Sequence, residues 1–492
     1  MSQITISDLH FTYDGDYTPV FEGLDLQLDT SWKLGLVGRN GRGKTTLLRL
    51  LAGELEGRGS LTKIPCLRWP RPVEDPGQRA MDILLEGVAP EDEWKIYREL
   101  SLLGLGEEIL ERPFSTLSGG ERTRALLAAL FLDDAAYPMI DEPTNHLDRE
   151  GREKVAQYLR GLDRGFLLVS HDRAFLDSCV DHILALNPTG PELVRGNFST
   201  WFGEKEARDR GERARNEKLK GEIRRLEQAA KRASAWSDKV EKTKYASKNS
   251  GLRPDRGFIG HKSAKMMRRA KSLESRQHSA IQEKSALLKD VEQADSLKLF
   301  PLEYHSQRLA ECRELSVAYG GAPLGKPVSF TLERGERLCL EGGNGAGKTS
   351  LLRLFLGEEV PHTGQFWTAS GLKISYVPQQ AGDLAGSPLD WAEGQGIDLT
   401  QFLTILRKLD FSRLLFERDM AEYSAGQRKK ALLAASLCHS AHLYLWDEPL
   451  NYIDLFSRMQ LEELLLQYRP TLLFVEHDRV FRENIATRTV EL

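Results

Sequence analysis

The segment GRNGRGKTT, beginning at Gly38, recurs as GGNGAGKTS beginning at Gly342, and it does not recur alone. LSGGERTRALLAA from Leu117 returns as YSAGQRKKALLAA from Tyr423, IDEPTNHLD from Ile140 as WDEPLNYID from Trp446, and LLVSHDRAF from Leu167 as LFVEHDRVF from Leu473. Lys44 and Lys348 stand 304 residues apart, and the pairs Ser118 and Ser424, Glu142 and Glu448, His171 and His477 each stand 306 apart. Four blocks held in register over such a distance require a tandem duplication, and about 100 residues remain between the halves. At 492 residues and 40% hydrophobic content the chain can build a separate core for each half.

Each block carries chemistry. Gly-x-x-x-x-Gly-Lys-Thr is a phosphate-binding loop, whose glycines allow a tight turn with backbone N–H groups pointing inward at the positive end of the next helix. Strand-like KLGLV and RLCLE precede the two loops, and helix-like TLLRLLAG and SLLRLFLG follow them. The expected ATP contacts are Gly38, Asn40, Gly41, Gly43, Lys44, Thr45 and Thr46 in the first half, and Gly342, Asn344, Gly345, Gly347, Lys348, Thr349 and Ser350 in the second. The lysines would meet the β- and γ-phosphates, and Thr45 and Thr349 would ligate Mg²⁺.

Asp141-Glu142 and Asp447-Glu448 close apolar runs, as carboxylates at the end of a buried parallel strand would. Asp141 and Asp447 suit the surroundings of Mg²⁺, and Glu142 and Glu448 the general base that deprotonates the attacking water. His171 and His477 also follow apolar runs, at one fixed offset from the Asp-Glu pairs, where an imidazole would reach the γ-phosphate side.

With the LSGGE block added, the motifs resemble those of the ATP-binding-cassette ATPases. That resemblance implies an α/β fold with two P-loop cassettes paired head to tail within one chain. One composite site would join Lys44, Asp141 and Glu142 to Ser424, Ala425 and Gly426; the other would join Lys348, Asp447 and Glu448 to Ser118, Gly119 and Gly120. Tyr13 and Tyr319 match the place of an adenine-stacking aromatic in such cassettes, and ordinary strand tyrosines remain the other reading. Gln379, in ISYVPQQ, matches a glutamine that senses Mg²⁺ and water, whereas the first half reads CLRWPRPVED there and has none. Ala425 replaces a signature glycine, so the two sites should be chemically unequal.

No apolar stretch of roughly 18 residues occurs, and MSQITISDLHF has neither a basic segment nor an apolar one, so neither membrane span nor secretion signal is expected. Cys66, Cys179, Cys312, Cys339 and Cys438 are scattered without a Cys-x-x-Cys pair, which suggests reduced thiols. The expected domains are 1–202, a linker 203–297, and 298–492.

Residues Glu204 to about Ala233 are strong helix formers, with Leu219, Ile223, Leu226, Ala230 and Ala233 spaced by four and three. A second such segment runs from about Ala270 to Ala294, so the middle reads as a long antiparallel α-helical hairpin. Lys231 to Arg276 holds 14 Lys and Arg against 4 Asp and Glu in a chain whose overall charge is −4. That concentration, interleaved with apolar side chains, favours a polyanion such as RNA, against the alternative of a merely solvated coiled coil. The candidate contacts are Trp236, Lys244, Tyr245, Lys248, Phe258, Ile259, His261, Lys262, Lys265, Met266, Met267, Arg268 and Arg269.

Tandem cassettes with such a linker resemble the ABC-F branch, and RGNFSTW at Arg195 is like the turn that branch places before its linker. RGFIGHKSAKMMRRAK from Arg256 and SAWSDKVEKTK from Ser234 look like the linkers of members that protect ribosomes from lincosamides, streptogramin A compounds and pleuromutilins. The resemblance implies a cytoplasmic, monomeric ATPase using ATP and Mg²⁺, bound to the 70S ribosome at the exit-tRNA site near 23S rRNA and P-site tRNA. Three other readings stay open: a housekeeping factor of the same branch, the ATPase subunit of a transporter, and a nucleic-acid ATPase unrelated to ribosomes.

Overall fold

The computed structural model describes residues 3–15, 18–62, 64–145, 147–187, 190–243, 297–319, 322–343, 345–382, 384–409 and 411–492, with backbone alone at 229–243, 319, 322, 413 and 414. The chain divides into two compact units, Met1–Trp201 with Ala294–Leu492, and Phe202–Gln293.

In the first half of the larger unit, the strands are β1 (Gln3–Phe11), β2 (Phe21–Asp29), β3 (Lys33–Val37), β4 (Arg58–Leu61), β5 (Cys66–Trp69), β6 (Tyr137–Asp141), β7 (Phe166–Val169), β8 (His182–Asn187) and β9 (Gly190–Arg195). Its helices are α1 (Lys44–Leu51), α2 (Ala80–Leu84), α3 (Trp94–Leu102), α4 (Gly119–Leu130), α5 (Arg149–Gly161) and α6 (Arg173–Cys179). The sheet runs β5-β6-β7-β3-β8-β9, parallel except for the last pair, beside an antiparallel sheet β2-β1-β4. A continuous helix α7 (Phe198–Thr243) follows.

The second half repeats this plan. Its strands are β10 (Arg308–Tyr319), β11 (Ala322–Glu333), β12 (Arg337–Glu341), β13 (His362–Thr368), β14 (Ile374–Val377), β15 (Leu443–Asp447), β16 (Leu472–Val475) and β17 (Arg488–Glu491). Its helices are α8 (Lys348–Phe355), α9 (Pro388–Gly394), α10 (Leu399–Lys408), α11 (Ala425–Cys438), α12 (Leu455–Tyr468) and α13 (Arg479–Ile485). The sheets are β14-β15-β16-β12-β17, all parallel, and β11-β10-β13.

Burial on both faces explains the uninterrupted apolar strands: Phe166, Leu167 and Leu168 in β7, and Leu472, Leu473 and Phe474 in β16, are fully inaccessible. In each half the loop after the central strand, β3 or β12, leads straight into a helix, which puts the glycine-rich segments at the carboxyl edge of a parallel sheet, where open α/β sheets bind ligands.

Helix α7 starts six residues before the Glu204 that propensity suggested. Asn197 accounts for the difference: its Oδ1 accepts from the Thr200 amide at 3.0 Å and from Thr200 Oγ1 at 2.7 Å, as a helix N-cap does. Phe198 and Trp201 are buried, their rings 5.5 Å apart, so RGNFSTW is a turn, a cap and the first anchored turn of the helix together. Farther along α7, Leu219, Ile223 and Leu226 are half-covered while their neighbours are exposed, a 4-3 stripe that continues back through Asn216 and Glu212. The expected second hairpin helix and the tip lie outside the described residues.

Removing the Trp201 side chain leaves a large void in a fully buried position. Trp201→Ala should therefore cost about 3–5 kcal/mol, read as a lower melting temperature of the cassettes by differential scanning calorimetry.

Candidate active sites at the cassette interface

The two phosphate loops are built alike. Gly43, at φ 83°, and Gly347, at φ 93°, enter the left-handed region just before Lys44 and Lys348, the first residues of α1 and α8. A Cβ on Gly43 would stand 2.6 Å from both Phe21 Cζ and Val20 Cγ1, so conformation and space both require glycine there. Lys44 Nζ donates to the carbonyls of Gly38 (2.7 Å) and Arg39 (3.1 Å), and Lys348 Nζ to those of Gly342 (2.7 Å) and Gly343 (2.8 Å). Burial lowers the pKa of both lysines.

Asp141 and Asp447 are the last residues of β6 and β15. Thr45 Oγ1 donates to Asp141 Oδ2 at 3.0 Å, and Asp447, with both oxygens buried, has the Thr349 hydroxyl as its hydrogen-bonding neighbour. Buried carboxylate oxygens beside a threonine at a helix start form the hard-oxygen set that Mg²⁺ takes. The next residues, Glu142 at φ 56° and Glu448 at φ 46°, sit in the left-handed region although neither is glycine. Such a conformation costs of order 1–3 kcal/mol and persists where neighbours hold it. Here the Glu142 amide donates to Val169 at 2.9 Å and the Glu448 amide to Val475 at 3.0 Å, which fixes each glutamate to the strand that carries its histidine. His171 Nε2 lies 3.3 Å from Glu142 Oε1, and His477 Nε2 3.4 Å from Glu448 Oε1.

The glutamates differ electrostatically. Both Glu142 oxygens are buried, and burial, with the Asp141 charge beside it, outweighs a backbone hydrogen bond from His171 and pushes this carboxyl up to about 8. Burial also acts to raise Glu448, but hydrogen bonding and charge from His477, with further hydrogen bonds from Gln379 and Asn451, outweigh it and hold the carboxyl at about 2. Asn451 Nδ2 donates to Glu448 Oε2 at 2.7 Å. The inequality expected from the missing first-half glutamine thus extends to the ionisation of these two glutamates. Burial, reinforced by Lys44, lowers His171 well below its ordinary value.

Ser118 and Ser424 cap α4 and α11 in capping boxes with Glu121 and Gln427, and Gly119, Gly120, Ala425 and Gly426 form the first turns. A cavity of about 660 Å³ is lined by Gly345, Gln379, Glu448 and His477 of the second half and by Gly119 and Gly120 of the first. On the other side, Asn40 Nδ2 donates to the Tyr452 carbonyl at 3.4 Å, and a Cβ on Gly426 would stand 3.2 Å from that same carbonyl. Each half's phosphate loop is therefore brought to the other half's signature helix. Arg173 pairs with Glu462, and Arg149 lies 3.9 Å from Glu341, across the same interface.

Tyr13 packs edge-on against Phe11 at 4.9 Å, and its hydroxyl is 3.0 Å from Thr46 Oγ1. Tyr319 ends β10, but its side chain lies outside the described residues, as does Asn344. Thr349 and Ser350 are half-buried in the first turn of α8. Of the linker candidates, Trp236 falls within α7 by its backbone alone. Lys244, Tyr245, Lys248, Phe258, Ile259, His261, Lys262, Lys265, Met266, Met267, Arg268 and Arg269 lie outside the described residues. Asn451 and Phe456 were among the residues missed. Asn451 was findable, because PLNYID aligns with PTNHLD; Phe456, which touches both Arg39 and Trp201, carries no local signal.

The carboxyl states predict opposite pH behaviour. A carboxyl raised from 4.5 to about 8 keeps its proton in the native state but loses it on unfolding, so wild-type stability declines across that window. In nucleotide-free protein, Glu142→Gln should remove this decline, and its stability relative to wild type should improve by up to about 3 kcal/mol between pH 5 and pH 8. Glu448, held near 2, contributes fully above 4.5, so Glu448→Gln should be destabilised by an unchanging margin over the same range. Melting temperatures of both variants against pH check this.

The family model described as ABC transporter matches residues 21–145 and again 325–451. The ribosome protection protein VmlR of Bacillus subtilis is 29% identical over 96% of this chain and 84% of its own length. The energy-dependent translational throttle protein EttA of Escherichia coli K12 is 26% identical over 96% of this chain and 89% of its own. Among solved structures, the archaeal ribosome recycling factor aABCE1, crystallised with the ribosomal stalk protein aP1, superposes with a TM-score of 0.64 at 21% identity, covering 98% of this chain and 87% of that one. Two matched domains, two complete sets of motifs and two sites shared between the halves lead to one assignment: this chain belongs to the ABC transporter family and carries that family's ATPase domain twice.

Proposed function

We propose that this chain is an ABC-F ATPase that binds the 70S ribosome in its ATP state and protects it from antibiotics acting at the peptidyl transferase centre. In this reading its cassettes close on ATP, it occupies the exit-tRNA site, and residues 203–297 reach toward 23S rRNA and P-site tRNA, where the basic tip promotes drug release. Hydrolysis then reopens the cassettes. The observation that carries the reading is the shared cavity, in which signature glycines of one half face the catalytic glutamate of the other. A γ-phosphate there would be contacted from both sides and so would favour the closed state. The family resemblance and the similarity to a ribosome protection protein supply the target.

Within each site Lys44 or Lys348 would neutralise phosphate charge, and Thr45 with Asp141, or Thr349 with Asp447 and Gln379, would hold Mg²⁺. Mg²⁺ supplies charge neutralisation of the phosphates. Glu448, ionised at neutral pH, takes the proton of the attacking water, and His477 beside it orients toward the phosphate.

Phe456 links these events to the linker. Arg39 of the first phosphate loop lies over its ring at 5.7 Å, and Trp201 in the first turn of α7 meets the ring at 6.4 Å. Arg39 and Phe456 align with Gly343 and Glu150 in the other half, so this bridge exists once. Movement of the second cassette at the first ATP site would thereby bear on the root of the helix.

Among the described residues no helix is long and apolar enough to cross a membrane. Similarity to a translational throttle protein supports a second reading, a housekeeping ABC-F factor acting on ribosome and tRNA. Growth of a drug-sensitive host expressing the chain, with and without a lincosamide, separates the two.

A Glu142→Gln, Glu448→Gln double variant should sediment with ribosomes when ATP is present; a protein that stays in the supernatant refutes the ribosomal target. Deleting 245–267 should abolish drug protection while ATPase activity stays within about twofold, because the hydrolytic groups lie elsewhere. Retained protection removes the tip from the mechanism.

A further inference from the structure

Lys429 is a buried cation that the hydrolytic scheme above does not use. Only 1% of it is exposed, yet it sits in the second turn of the signature helix α11 of the second cassette. Its ammonium donates to three main-chain carbonyls, Pro378 at 2.6 Å, Asp447 at 3.1 Å and Gln379 at 3.2 Å. An ammonium has three N–H donors, so the set is complete, and each acceptor keeps a defined place. Two of those carbonyls belong to the segment leaving β14, and the third closes β15 immediately before Glu448.

The first cassette supplies an internal comparison. Where the repeat aligns, Thr123 stands in place of Lys429, and a threonine side chain is too short to reach from the helix to two strand ends. The same cassette has no glutamine after β5, and among the described residues no side-chain amide donates to Glu142 as Asn451 does to Glu448. Lysine, glutamine and a supported glutamate occur together in one half and are missing together in the other.

We propose that Lys429 is a positioning residue of the second ATP site, tying the glutamine segment to the end of the catalytic strand so that Gln379 stays within reach of Glu448. It does not touch the reacting atoms; it fixes the separation of two groups that do. This inference rests on the assignment of Glu448 as the base of the second site. The charge has a second effect, because Glu476, Asp447 and Glu448 all face it and the ammonium offsets part of their mutual repulsion.

The test uses the full chain carrying Glu142→Gln, so that ATP turnover reports the second site, with Glu142→Gln, Glu448→Gln as its control. If that control still turns over at the single variant's rate, the assignment of Glu448 fails, independently of Lys429. With the assignment standing, Lys429→Met should lower kcat about tenfold and leave KM for ATP within about twofold. Gln379→Ala should lower kcat comparably, and the two together should cost little more than either alone, because each removes the same support. Multiplied losses, or a Lys429→Met kcat within about twofold of its parent, would overturn the proposal. Should Lys429→Met not fold, Lys429→Gln, which keeps an amide donor without the charge, enters the same cycle with the same criteria.

Discussion

Each phosphate loop in this molecule is incomplete until the other cassette's signature helix is set against it, and most of the remaining architecture follows from that requirement. The parallel sheets hold the loops, the Asp-Glu pairs and the histidines at one edge, because strands buried on both faces end together where the polar residues begin. Capped helix starts at Ser118 and Ser424 present backbone N–H groups across the gap. The interface between the halves is consequently charged rather than greasy. Arg173 with Glu462 spans it, and the buried pairs Arg152–Asp172 and Arg458–Asp478, each at 3.0 Å, lie on the helices facing it. Arg152–Asp172 and Arg458–Asp478 each lie within one half, so of these pairs only Arg173–Glu462 is separated by a change in docking, and a buried ion pair contributes little net stability once desolvation is counted.

Duplication did not produce two copies of one device. The halves share geometry down to the left-handed glutamates, yet the surroundings of those glutamates give one carboxyl near 8 and the other near 2. Backbone conformation, set by strand ends and by amide bonds to Val169 and Val475, survived sequence drift. Electrostatics did not, because a single side chain such as Gln379 changes it without moving the backbone.

Much of this was legible in the amino-acid sequence where a residue's role is local. The phosphate loops, the strand-terminal Asp-Glu pairs, the histidines and the missing first-half glutamine were each readable from type and spacing, and the described structure places them at the strand ends and helix starts expected. The start of α7 was misjudged, because helix propensity begins at Glu204 whereas the helix begins where Asn197 caps it and Phe198 and Trp201 bury. Phe456 and Lys429 were invisible for another reason. Their partners, Arg39 and Trp201 for one, three carbonyls for the other, come from distant segments, and no periodicity announces a contact made only by tertiary packing.

The anchored turn at the base of α7 also bears on how linkers of this kind can be exchanged. A helix that begins in solvent can be cut and grafted at any convenient residue, but this one begins inside a core, with Phe198 and Trp201 as a plug and Phe456 of the opposite cassette pressed against it. A linker moved between tandem cassettes with a junction at 203 would leave its own plug behind and inherit one shaped for another partner. The natural seam lies at Gly196, whose φ of 136° already breaks the chain's direction, so the transplantable module is the linker together with its socket-fitting first turn.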